Sequence, residues 1–230
     1  MAYKAHYLAR RNPATPAEGW PRLWRSHAAF AGQFGQIGGR FLSVMQCSRV
    51  LDKDFPGAST GYDGVAVLAY QTREDAQMQL PPDIRVKIDA DELRVFDGYV
   101  ANFFMNSREH VVQDKGFDRA RGRAALISFL RGTPGVSRET LTRAWCDRHA
   151  GDIPGVVRAV VNEIDGNAPP GYECDAVAEL WFPSADEALA SFAHSSRRAE
   201  LDKQMDAVRL PNPVQMFTYV THSWSAPTAG

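Results

Sequence analysis

The sequence lacks a C-x-x-C pair. Its three cysteines, Cys47, Cys146 and Cys174, stand far apart and leave one thiol over, which argues against a disulfide framework and for a reducing, cytoplasmic setting. Charge of one sign is lacking too. Lys and Arg number 26 against 27 Asp and Glu, for a formal net charge of −1 and a pI near 6.6, so nothing draws the chain to polyanions and no nucleic-acid partner is expected. No run approaches the roughly 20 apolar residues that cross a bilayer, and Met1 to Arg11 has no apolar core of a signal peptide. No membrane partner is expected. Missing as well are a dinucleotide-binding glycine fingerprint, a phosphate-cradling loop and a nucleophile elbow. His6, His110, His194 and His222 have no partner at metal-ligand spacing, and His149-Ala-Gly-Asp152 is too thin for a metal site. Neither metal nor cofactor is expected.

What is present is a repeat. Pro13, Trp24 and Tyr62-Asp63-Gly64-Val65-Ala66-Val67-Leu68 return in the same order as Pro134, Trp145 and Cys174-Asp175-Ala176-Val177-Ala178-Glu179-Leu180. The proline and tryptophan pairs share one offset of 121 residues, and a His follows each Trp by about one helical turn, as His27 and His149. Two units are therefore expected, over residues 1–113 and 124–224, with a polar linker at 114–123 and a tail at 225–230.

Within the first unit, Ala5 to Arg10 reads as a strand, and Thr15-Pro16-Ala17-Glu18 is a capping box predicting a helix start. Trp20, Trp24, His27, Ala31 and Phe34 then share a face, and Gly35, Gly38 and Gly39 end the helix. Arg40 to Leu51 and Val65 to Tyr70 read as strands, Thr72 to Asp75 caps a second helix that Pro81-Pro82 must interrupt, and Val100 to Met105 reads as the closing strand. The second unit repeats this order. Ala124 to Leu130 is a strand, Ser137 caps a helix with Leu141, Trp145 and His149 on one face, and Val156 to Ile164 and Val177 to Phe182 are strands. Ser184 to Glu187 caps a helix able to run toward Val208, and Val214 to Thr221 closes the unit. The expected fold is α+β, two tandem ferredoxin-like β-α-β-β-α-β halves whose sheets pack face to face.

The order of a strand, P-x-[TS], a helix with W-x-x-x-H, and Y-D-G-V-A before a strand resembles the EthD-like family of dimeric α+β barrel proteins. Arg10 to Pro13, Trp24, His27 and Tyr62 to Ala66 carry the likeness in the first half; Leu130 to Ser137, Trp145, His149, Asp175 to Leu180 and Phe182 carry it in the second. The resemblance implies a tandem fusion forming an intramolecular barrel. It also implies cofactor-independent chemistry on small aromatic or lactone-type molecules. Each copy departs from the pattern. The first has one residue fewer between Trp and His, which turns His27 by about 100 degrees around its helix; the second replaces Tyr-Asp-Gly with Cys174-Asp175-Ala176.

Imidazole exchanges protons near neutral pH, so His149 and His27 are the candidate acid or base, with Asp175 and Asp63 to orient them. Arg10 and Arg131 are candidates to hold an acidic substrate group by a bidentate fork. Tyr7, Trp24, Tyr70, Trp145, Trp181, Phe182 and Tyr219 are expected to line an aromatic cavity between sheet and helices, although such residues also serve as plain core. The expected function is a cofactor-independent lyase, dehydratase or isomerase using His-mediated proton transfer on a small hydrophobic or aromatic partner, with a homodimer possible. Rivals are a cofactor-free monooxygenase of an electron-rich phenol, a non-catalytic small-molecule-binding protein and a haem protein.

Overall fold

The computed structural model describes residues 3–117, 123–150, 153–192, 205 and 207–226. Eight antiparallel strands close into a barrel: β1 (Tyr3–Ala9), β2 (Phe41–Arg49), β3 (Gly64–Tyr70), β4 (Phe104–Asp114), β5 (Ala124–Leu130), β6 (Arg158–Ile164), β7 (Ala176–Phe182) and β8 (Val214–Ser225). Their order is β1-β3-β2-β8-β5-β7-β6-β4, with β4 returning to β1. Each set of four has the same internal order, β4-β1-β3-β2 and β8-β5-β7-β6.

The two sets do not merely face one another. Their edges hydrogen-bond along β2/β8 and β4/β6, so the unpaired edges that open sheets would expose are gone. Length explains the joint. β4 and β8 have 11 and 12 residues where most other strands have 7, so each runs past its own set and pairs with the other.

Helices α1 (Trp20–Gly32), α2 (Gly35–Gly38), α3 (Arg73–Gln77) and α4 (Pro82–Val95) follow the first strands, and α5 (Arg138–Arg148) and α6 (Ala185–Phe192) accompany the second set. Three of the four caps read from sequence are present, at Thr72, Ser137 and Ser184, whereas the Thr15 to Glu18 box caps no helix. Thr72 Oγ1 accepts from Asp75 N and Ser137 Oγ from Thr140 N, and Pro81-Pro82 separates α3 from α4.

Several boundaries moved. The first helix ends at Gly32, before Phe34, and Gly35–Gly38, expected to stop it, form α2; the closing strands run on to Asp114 and Ser225. The first helix starts at Trp20, because Pro21 has no N–H to bond back and suits only a helix's opening turn; Pro16 to Gly19 form a turn, with Gly19 N on Pro16 O. The closing strand starts at Phe104 instead of Val100. Glu92 Oε2 accepts from Val100 N at 2.9 Å, and Phe103 N returns to Val100 O at 3.0 Å, so residues 100–102 wind into a 3-10 turn. The helix expected to reach Val208 is described only to Phe192, and half of the 114–123 linker and most of the 225–230 tail lie outside the described residues.

Alternation along the strands sends one set of side chains inward and one toward the helices. Inside are Leu8, Met45, Val67, Met105, Ile127 and Met216, joined by a charged cluster. Glu179 is fully buried and accepts from Lys4 Nζ (3.1 Å), His6 Nε2 (2.8 Å), Asn162 Nδ2 (2.7 Å) and Trp181 Nε1 (2.8 Å). Lys4 also meets Glu109 at 2.6 Å, and Glu109 meets Arg158 at 2.9 Å. Such a cluster is tolerable in a barrel core because every charge has an opposite partner.

Candidate functional site

The helix side differs between the halves. In the second, Leu126, Leu141, Trp145, Ala178, Phe182, Ala188 and Met205 pack into one continuous core. In the first, a cavity of about 1020 Å³ opens between α1, α2 and α4 and the outward faces of β4, β1, β3, β2 and the end of β8. Tyr7, Leu68, Tyr70, Val44, Gln46, Phe104 and Asn106 line its sheet side, and His27, Ile88 and Glu92 its helix side.

His27 sits on the buried face of α1, one turn after Trp24. Its Nδ1 lies 2.7 Å from Asp91 Oδ2 on α4, and its ring meets Phe96 edge-on with centroids 5.5 Å apart. Burial pushes the imidazole below its ordinary value, against the pull of Asp91. Burial opposes ionisation of Asp91 as well, but hydrogen bonds from His27 and Arg94 outweigh it and hold that carboxyl below its usual range. A neutral imidazole beside a carboxylate must donate from Nδ1. The Nε2 lone pair is then left for the cavity, with no hydrogen-bond partner among the described residues.

Other polar groups converge here. Trp24 Nε1 donates to Tyr7 Oη at 2.9 Å, and burial pushes the phenols of Tyr7 and Tyr70 well up. Gln46 Nε2 donates to Trp24 O at 3.0 Å; since a carbonyl only accepts, the amide orientation is settled and Oε1 is left buried without a partner. Asn106 Oδ1 is likewise buried and unpartnered.

His149 has a different setting. It is the C-cap of α5, its Nδ1 is 2.8 Å from Trp145 O, and its ring stacks on Trp145 at 4.0 Å. Burial lowers its pKa to about 4. It does not line the first-half cavity.

Neither expected aspartate touches a histidine. Asp63 accepts from Arg11 N (2.9 Å) and Arg11 Nη1 (2.5 Å), and Asp175 accepts from Gly132 N (2.9 Å) and Arg138 Nε (3.2 Å). These carboxylates clamp the chain after β1 and β5. Arg10 lies over the Tyr62 ring and donates to Gly61 O, and Arg131 is exposed; neither lines the cavity.

Of the seven aromatics, Tyr7 and Tyr70 line the cavity. Trp24 stacks on Trp20 behind it, with centroids 4.5 Å apart. Trp145 and Phe182 are second-half core, Tyr219 packs against that core, and Trp181 faces the barrel interior. Trp181 and Phe182 are adjacent on one strand, so they cannot face the same layer. Asp91, Gln46 and Asn106 join the site without belonging to any of the sequence motifs. For Asp91 a signal existed: with Ile84, Ile88 and Val95 it falls at i, i+4, i+7 and i+11, a carboxylate on an otherwise buried apolar stripe.

Among the described residues no cluster of three or more His, Cys, Asp or Glu is placed to hold a metal ion. None of their helices is long and apolar enough to cross a membrane.

No protein-family model and no curated protein matches the sequence. Solved structures do match in fold. An anthrone oxidase-like protein superposes with a TM-score of 0.72 at 13% identity, covering 97% of this chain and 93% of the other. A candidate monooxygenase from Fusobacterium nucleatum subsp. nucleatum gives 0.59 at 8%, covering 97% and 93%, and one from Lactobacillus acidophilus gives 0.56 at 6%, covering 97% and 95%. The fold is that of the dimeric α+β barrel proteins. At such identities the likeness extends to the fold and no further.

Proposed function

We propose that the chain is a tandem pair of ferredoxin-like halves of EthD-like type and a cofactor-independent small-molecule enzyme whose working site is the first-half cavity. His27, oriented by Asp91, takes a proton from a small aromatic or lactone-type substrate, in the manner of an isomerase, dehydratase or other lyase. The observation that carries this reading is a buried imidazole that lines a cavity of about 1020 Å³ and has its Nδ1 on a carboxylate. Such a pair supplies a neutral base near neutral pH. Tyr7, Tyr70 and Phe104 give the cavity an aromatic surface that excludes water from the reacting atoms. His149, Asp63, Asp175, Arg10 and Arg131 then serve as supports rather than reacting groups.

A second reading follows from the names of the structural neighbours. The same base deprotonates a phenol, the resulting electron-rich ring reacts with dioxygen, and a ring methylene leaves as a carbonyl with one water formed. Oxygen uptake matching turnover supports this course, and turnover without uptake supports the first. In either case His27→Gln in a folded protein is expected to slow turnover by about 100-fold, within the usual range for a general base. Turnover within threefold of the parent protein would discard both. Recovery of a bound ligand unaltered after long incubation favours a binding protein, and a Soret band in the purified protein favours haem.

A further inference from the structure

Strand β8 belongs by sequence to the second half, yet its C-terminal end lines the first half's cavity with His222 and Trp224. His222 lies opposite Gln46 across the β2/β8 seam. Gln46 in turn holds the carbonyl of Trp24, one turn before His27 on α1. Arg25, on the same helix, donates to Thr221 O at 2.6 Å and ties α1 to β8 beside His222. The half-buried imidazole of His222 has no hydrogen-bond partner among the described residues.

Its counterpart in the other half is His110. Gln46 pairs with Ala66 and Val161 with Ala178, each three residues past its clamp aspartate, so Val161 takes the place of Gln46. His110 on β4 lies opposite Val161 across the second seam. Each half thus lends the other a histidine on its last strand, but the two surroundings differ. His110 Nε2 is buried, with the Glu163 carboxylate 4.0 Å away, whereas His222 borders open space.

We propose that His222 is a second proton-transfer residue of the cavity, contributed by the second half and acting from the sheet side while His27 acts from the helix side. This rests on the function proposed above. In a double-bond shift of an unsaturated lactone, His27 Nε2 takes a proton from the carbon beside the carbonyl, and the C–H electron pair moves into the enolate. His222, which burial and the Arg25 guanidinium hold below its ordinary value and so make the stronger acid when protonated, gives its proton to the far end of the conjugated system as that pair returns to carbon. One C–H bond breaks and one forms, and exchange with solvent restores both imidazoles. A single base need not return the proton at the distant carbon, so the second histidine widens the reaction from exchange to isomerisation.

The test uses α-angelica lactone in D2O, followed by NMR, with the protein-free rate subtracted. Its C3 proton reports removal, and formation of the β isomer reports delivery at C5. The parent protein is expected to do both. His222→Asn is expected to keep C3 exchange within about threefold while isomerisation falls by about 100-fold or more, the lower end for loss of a general acid. His27→Asn should lose both, and His110→Asn should change neither. Isomerisation by His222→Asn at the parent rate, or exchange falling in step with isomerisation, overturns the role of His222 alone. Failure of the parent protein to exchange the proton, or full exchange by His27→Asn, overturns this proposal together with the reading on which it rests.

Discussion

In the first half Asp63 receives Arg11 N, and in the second Asp175 receives Gly132 N, both at 2.9 Å and both at the end of a first strand. Above this shared clamp the halves diverge. Trp20 and Trp24 stack in the first, whereas 121 residues later the second has Leu141 and Trp145. Gly64 belongs to that stack, since a Cβ there would lie 2.8 Å from Trp24, 2.9 Å from Trp20 and 2.8 Å from Cys47 O. Where Leu141 stands in place of Trp20, Ala176 stands in place of Gly64 and is fully buried. The histidines diverge in the same way. With three residues from Trp24 to His27, the imidazole meets Asp91 and the cavity; with four from Trp145, it falls on the helix end and bonds its own backbone. Among the described residues one helix–sheet space holds a cavity and the other is packed with side chains, and the two imidazoles, one residue apart in their spacing from Trp, meet these different surroundings.

The largest expected effect lies where the halves meet. Lys4 and His6 come from the first, and Glu179, Asn162 and Trp181 from the second. Glu179→Ala leaves Lys4 short of a carboxylate in a closed barrel and should cost about 3–5 kcal/mol in denaturant unfolding. Burial alone would raise the Glu179 pKa, but Lys4 and His6 outweigh it and hold the carboxyl far below its ordinary 4.5. A depressed carboxylate stabilises the fold above its unfolded pKa, so that contribution is lost progressively as pH falls below 4.5. Glu179→Gln should flatten this acid limb.

Next comes the contrast between the histidines themselves. His27→Gln should lower turnover by about 100-fold, Asp91→Asn by about tenfold through loss of the Nδ1 partner, and His149→Gln by less than threefold. Comparable losses for His27 and His149 would erase the distinction between open and closed halves.

His149 should instead appear in stability. Its pKa drops from 6.5 unfolded to about 4 folded, so the unfolded chain binds the proton first, and stability present above pH 6.5 is lost as pH falls toward 4. Replacing His149 with Gln should remove about 2 kcal/mol of that dependence between pH 7 and 5, measured by urea unfolding.

The smallest effect probes the exchange of Trp and Gly for Leu and Ala. Gly64→Ala should destabilise the protein by about 1 kcal/mol or slightly more through crowding of the tryptophan pair. Trp20→Leu added to it should recover part of the loss, because the pair would then match the second half. Additive losses would separate the two positions.

Strand periodicity and caps read well from sequence because they are local. Ala124–Leu130 and the Thr72 and Ser137 caps lie where the residue pattern predicted. The 3-10 turn at Val100 did not, since a carboxylate eight residues away, Glu92, holds it. The same limit applies to the site. His27 and Tyr7 were visible as types, but the base depends on Asp91 from another helix and the cavity wall on β8 from the other end of the chain. Those partnerships are made by packing across 64 and 195 positions, beyond what spacing can report.

A substrate of the proposed reaction should lodge in the open half. A crystal structure of the protein soaked with anthrone, flat and aromatic, tests this directly. The ligand is predicted between α1 and the sheet of the first half, with an oxygen or the acidic carbon within hydrogen-bond reach of His27 Nε2. A ligand lodged instead against Trp145 and His149 in the second half, or inside the barrel beside Glu179, would contradict the account.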